Sequence, residues 1–192
     1  MDAGILAELQ RRYAEPHRTW HRWPRVAEML EQTEEVAGAI ADRQAFILAA
    51  LFHRAVFDRR LPDSAAQSIA LMRELLPGTP KPRLARAAVL IQALARQDLP
   101  ETRDPSLRGD ASLMLDMDRA VLGAPAAEFD AHEAAFRREF AHLGDDAYAA
   151  GRSGALQMLL WRERIFHTDR YFLERERRAR SNVTRLLKRL IG

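Results

Sequence analysis

Apolar positions recur along most of the chain at steps of three and four residues, the spacing that turns one side of an α-helix toward a core. Ile5, Leu6, Leu9 and Tyr13 mark a helix over 2–14, which Pro16 ends. A polar and aromatic connector, Glu15 to Trp23, follows. Pro24 sits where helices start, and Val26, Met29, Leu30, Val36 and Ile40 carry a second helix to about residue 41. Asp42 is the expected cap of a third helix; its run from Ala45 to Asp58 is apolar on nearly every side, which suits the centre of a bundle. Arg59-Arg-Leu-Pro62 is read as the break of that helix. Asp63 or Ser64 caps the next, with Ile69, Met72, Leu75 and Leu76 on one face and Pro77-Gly78 as its stop. Pro80 and Pro82 precede another through Leu84, Ala88, Ile91 and Ala95.

Residues 97–109 read as a polar, proline-rich loop, after which Asp110 is expected to cap a short helix bearing Leu113, Leu115, Val121 and Leu122 and ended by Gly123. Two helices, roughly 126–143 and 146–166, and a long last one capped by Thr168 or Asp169 complete the pattern. No stretch alternates as a strand would. The fold class is therefore all-α, a single helical domain over residues 1–192, and the composition agrees: 47% hydrophobic and 30% charged residues can build one sizeable core.

The chain has no cysteine, which excludes disulfides and thiolate metal sites but leaves histidine and carboxylate ligands open. No apolar run approaches the ~20 residues a membrane span needs. The N-terminus lacks a basic stretch followed by an apolar one, so it is not read as a signal peptide, and the cytoplasm is the expected location. A net charge of +3 hides an asymmetry, because Asp169 to Gly192 holds eight basic residues against three acidic ones. Within that segment Phe172, Ala179, Val183, Leu186, Leu187 and Leu190 recur at helical spacing, so the arginines form the opposite, solvated face. With no aromatic stacking pattern among them, specific nucleic-acid binding is not expected, while a homodimer contact is compatible with such a helix.

Candidate chemistry lies elsewhere. His21, His53 and Asp118 offer two imidazoles and a carboxylate, a donor set that suits a divalent transition metal, against the plainer reading of histidines satisfied in a core. Arg54 directly follows His53. Arg152, after Gly151, is suited either to a phosphate or carboxylate or to an interhelical ion pair, with Gly151 allowing close approach in the first case. Arg180 and Asn182 are expected to tie down the last helix, Trp20 and Trp23 to pack or to wall a pocket, and His132, His142 and His167 to lie at the surface.

Tyr13-Ala-Glu-Pro-His-Arg-Thr-Trp-His21, Leu51-Phe-His-Arg-Ala-Val-Phe-Asp58, Leu115-Asp-Met-Asp-Arg-Ala-Val-Leu-Gly123, Gly151-Arg152 and Ala179-Arg-Ser-Asn182, in this order, resemble successive motifs of the predicted metal-dependent phosphohydrolases of the HD superfamily, in a branch of small bacterial proteins. The resemblance implies an HD-type helical domain in which a His, an adjacent His-Asp pair and a distant Asp hold a divalent metal for phosphoester hydrolysis. It sets the first His on His21, the second on His53 and the distant Asp on Asp118, and includes His17 in the first motif. The Asp of the His-Asp pair falls on Arg54.

Other positions depart with it: Ser64-Ala65 stand where the resemblance implies Asn-Glu, Leu94 and Gln97 where it implies Thr and His, and Arg25 where it implies a second His. A guanidinium cannot deprotonate to tolerate a nearby metal ion, and it can take the ion's place. The expectation is a divergent phosphohydrolase-like protein without a metal cofactor or hydrolase activity. In it, Arg54 occupies the former metal site and pairs with Asp118, and a phosphorylated or anionic small ligand is bound with the help of His17 and Arg152. Two alternatives stay open: an active metal-dependent hydrolase using His21, His53 and Asp118, with water or Asp58 completing the shell, and a helical protein-interaction module.

Overall fold

Every regular element in the computed structural model, which describes residues 2–58, 60 and 63–192, is helical. The all-α expectation holds. In chain order the helices are α1 (Ala3–Tyr13), α2 (Trp23–Glu35), α3 (Arg43–Phe52), α4 (Ser64–Leu75), α5 (Lys81–Arg96), α6 (Pro105–Arg119), α7 (Ala126–Glu139), α8 (Asp145–Trp161) and α9 (Asp169–Ile191), with short 3-10 turns at Ala37–Ala39 and Ala120–Gly123. No helix among the described residues is long and apolar enough to cross a membrane.

Side-chain caps explain several of these boundaries. Asp2 accepts the Gly4 N–H at 2.7 Å and Asp42 accepts the Ala45 N–H at 2.9 Å, each satisfying a first-turn amide that no helical carbonyl reaches. Asp110 does not cap, contrary to expectation. The helix starts earlier, at Pro105, because Asp104 Oδ1 accepts the N–H groups of Ser106 at 2.8 Å and Leu107 at 3.2 Å, and proline at the first helical position loses no bond. The proline-rich loop is correspondingly shorter than 97–109, and it begins at Gln97, whose φ of 56° ends α5 in the left-handed region. The second helix also stops short of residue 41, at Glu35, and α3 ends at Phe52 rather than running to Asp58. The break expected at Arg59-Arg-Leu-Pro62 falls largely on Arg59, Leu61 and Pro62, which lie outside the described residues.

The helices group into two compact units, Met1–Met117 and Asp118–Gly192. In the first, α3 packs on both α2 and α5, and α4 packs on α5. Ala45, Ala49 and Ala50 on α3 and Ala87, Ala88 and Ala93 on α5 are all buried, and such small side chains let helix axes approach closely around Phe46, Phe52, Leu90 and Ile91. Each of those large side chains stabilises the fold by roughly 1.5–3 kcal/mol through burial. Asp110, 1% exposed, joins distant parts of this unit: its carboxylate accepts the N–H groups of Ala41 at 2.8 Å and Asp42 at 3.2 Å and is bound by Arg86 at 2.8 Å.

In the second unit α8 and the 120–123 turn pack on α9, and α7 packs on the same turn. Ala179, Val183 and Leu186 are buried on α9 as their spacing predicts, with Tyr171 rather than Phe172 buried in its first turn. Glu176, also buried, accepts the N–H groups of Ile165 and Phe166 at 3.0 and 3.2 Å, and Arg180 donates to Glu176 and to the carbonyls of Leu160, Arg162 and Glu163. Asn182 donates to Leu122 O and Ala124 O, both at 2.9 Å. Arg180 and Asn182 thus hold α9 as expected. Gly123 is more than a helix stop: a Cβ there would lie 2.6 Å from Arg175 Cβ and 2.9 Å from Arg175 O, so only glycine permits this approach.

Candidate functional site

His53 is the residue at which α3 ends, and the segment after it is gripped by the connector that follows α1. Arg18, from that connector, is the largest fully buried side chain in the chain. Its guanidinium donates to Glu15 at 2.9 and 3.1 Å, to Arg54 O at 2.6 Å, to Ala55 O at 3.2 Å and to His21 O at 3.5 Å, and so satisfies carbonyls that α3 leaves open at its C-terminus. Tyr13, also buried, donates to Leu51 O at 3.1 Å and accepts the Arg54 N–H at 3.2 Å, while burial pushes its phenol well above the ordinary range. His17 donates from Nε2 to Phe57 O at 2.6 Å, and Ser68 Oγ bonds Val56 through both its N–H and its carbonyl. The backbone from Arg54 to Phe57 is therefore fixed at every residue.

Phe57 is where the candidate side chains gather. The His21 ring lies 4.6 Å from the Phe57 ring, the Arg54 guanidinium carbon 5.6 Å and the Arg18 guanidinium carbon 5.5 Å. His53 Nδ1 donates to Ala50 O at 2.8 Å, which orients the ring and places a proton on Nδ1. Metal-binding histidines are commonly oriented this way. The residue that follows His53 is Arg54, a permanent cation. Asp58 is engaged by Arg60, through Nη2 at 2.7 Å and the Arg60 N–H at 2.9 Å, and those bonds hold its carboxyl far below the ordinary range.

Leu94, Gln97 and Arg25, also singled out in the sequence, have structural uses. Leu94 is 2% exposed in the core, and Gln97 caps α5 by donating to Leu94 O at 2.9 Å. Arg25 stacks on Trp20 at 4.8 Å and pairs with Glu28, while Trp23 meets the edge of Tyr13 at 6.0 Å, so both tryptophans pack. Among the described residues no group of three or more His, Asp or Glu side chains is placed to hold a metal ion. The donor set in the first unit, imidazoles beside a permanent cation, does not fit one.

In the second unit, Asp118 is half-buried at its first position. Arg152 forms the interhelical pair that was one of its two readings: its Nε donates to Glu133 Oε2 at 3.1 Å, its Nη2 bonds Oε1, and its guanidinium stacks on Phe136 at 4.6 Å. Burial by itself would raise the Glu133 carboxyl, but the hydrogen bond from His132 and the charge of Arg152 together hold it below its ordinary value. Gly151 serves no close contact, since a Cβ there would meet nothing within 4 Å. His132 is not a surface residue. It is 6% exposed, 3.2 Å from Glu133 and close to the Phe129 and Phe136 rings, because α7 turns that face inward. His167 is half-buried beside Arg119 at 3.1 Å, and His142 is exposed as expected.

Arg18 is the residue that sequence reasoning missed. Its one local signal is Glu15 three positions earlier, a spacing common on protein surfaces, whereas its carbonyl partners come from residues 36 and 37 positions away.

The fold and this cluster define a helical protein in which His21, Arg18 and Arg54 gather around Phe57 just beyond the end of a core helix. No family model, curated protein or solved structure matches the chain.

Proposed function

We propose that the chain is a metal-free, HD-phosphohydrolase-like protein that binds a small phosphorylated or anionic ligand at the cluster around Phe57 and does not hydrolyse it. The observation that carries this reading is the convergence of His21, Arg18 and Arg54 on one aromatic ring, beside a histidine whose ring is already oriented. Arg18 is paired with Glu15, and Arg54 brings a second guanidinium to the same ring. Arg18 serves the backbone, and Arg54, which stands where the resemblance implies a metal-binding acid, is the group assigned to the ligand. A planar guanidinium matches the paired oxygens of a phosphate or carboxylate.

The resemblance to HD phosphohydrolases supports the location of the site, and the substitution of Arg54 for the expected acid supports the loss of metal chemistry. Titration calorimetry with inorganic phosphate and a nucleoside monophosphate tests the reading. Binding that weakens at least tenfold in Arg54→Gln, about 1.4 kcal/mol, is the expected result. Equal binding by parent and variant, or phosphate release with added manganese or nickel, would overturn it.

A further inference from the structure

The exposed face of α8 is apolar from end to end. Ala147, Ala150, Gly151, Gly154 and Ala155 are exposed, and the same face ends in Met158 and Trp161, which are 63% and 81% exposed. The opposite side of the helix, with Tyr148, Ser153 and Leu156, is buried. A tryptophan left so open is unusual, because its ring is among the largest apolar surfaces a side chain can bury.

We infer that this face is the contact through which two copies of the chain pair. The order of sizes along α8 is what identifies the occupant. Small residues fill the N-terminal half of the face and large ones the C-terminal half, so two antiparallel copies related by a two-fold axis beside Gly154 are complementary to each other. Trp161 of each copy then lies over Ala147 of the other, and Met158 lies over Ala150 and Gly151. Cβ positions at Gly151 and Gly154 meet nothing within 4 Å among the described residues, so the backbone of α8 is open to close approach there.

Antiparallel seating also opposes the two helix dipoles and sets Asp146 in the first turn of each copy toward the C-terminal end of α8 in the other, where Arg162 adds positive charge, while Asp145 stays paired with Arg137. Trp161 and Met158 of two copies bring four large, open side chains to the contact, whose area falls at the low end for a specific interface. The expected dimer is reversible, with a dissociation constant in the micromolar range. This inference does not depend on the anion-binding reading.

Sedimentation of the full chain across a concentration series tests it, together with oxidative cross-linking, which is clean because the chain has no cysteine of its own. A reversible dimer is expected, weakened at least tenfold by Trp161→Glu and by Ala150→Arg with helicity unchanged. Gly154→Cys is expected to cross-link, and Glu174→Cys, an exposed position on α9, is not. A monomer throughout the series, a dimer indifferent to both substitutions, or equal cross-linking at the two cysteine positions would overturn the proposal.

Discussion

Replacing Arg18 by methionine tests whether the end of α3 is held by a buried cation. Methionine keeps much of the arginine stem's packing against Tyr13 and Phe57 but supplies no donor. The variant loses bonds to Arg54 O at 2.6 Å and Ala55 O at 3.2 Å, and leaves Glu15 without its partner at 2.9 Å. A charge-assisted hydrogen bond contributes roughly 1.5–3 kcal/mol, and a buried carbonyl stripped of its donor costs about 1–3 kcal/mol. The lost packing is small by comparison. These effects overlap and Glu15 stays one-third exposed, so the net loss, about 3 kcal/mol, comes mainly from the stripped carbonyls. A domain's whole stability is only about 5–15 kcal/mol, so the change is large. Thermal unfolding followed by far-ultraviolet circular dichroism should show a midpoint lower by about 10 °C or more, and limited proteolysis should cut between His53 and Asp58. A loss below about 1 kcal/mol, with that segment still protected, would refute the assignment of Arg18 as its anchor.

Two further substitutions probe the second unit. Gly123→Ala forces a Cβ against the Arg175 backbone and should destabilise by about 1–3 kcal/mol in chemical denaturation, whereas Gly151→Ala, where nothing lies within 4 Å, should be neutral or slightly stabilising. Arg152→Gln leaves Glu133 buried without its cation and should cost about 3 kcal/mol at neutral pH. The folded Glu133 carboxyl lies below its ordinary value, so the stability it contributes is complete above the unfolded value of about 4.3 and is lost as the pH falls through the folded one. The gap between parent and Arg152→Gln, measured by urea unfolding at several pH values, should therefore narrow on acidification. A gap that is constant with pH would contradict the pairing.

Local chemistry explains which parts of this protein were legible in its sequence. Helix periods and the cap at Asp42 involve residues within one turn of each other, so spacing alone reveals them. Asp110 misled because Gly109-Asp110 resembles a helix start, while its carboxylate in fact serves backbone groups 68 and 69 positions away. His132 misled for a related reason. Its helix carries arginines and glutamates around the whole circumference, and its inward direction is set by Phe129 and Phe136 rather than by a clean polar and apolar division. At the candidate site His21, His53 and Arg54 were visible as chemistry-bearing residues, but the ring that gathers two of them, Phe57, looked like one more apolar position in a helix, and that helix ends before it.

The central claim, that Arg54 stands in for a metal, is tested most directly by the metal content of the full chain purified without chelator, compared with that of Arg54→Asp. The account expects no bound divalent transition metal in the parent and a gain of metal in the variant, where a carboxylate again follows His53. A stoichiometric divalent metal in the parent, unchanged in the variant, would contradict it.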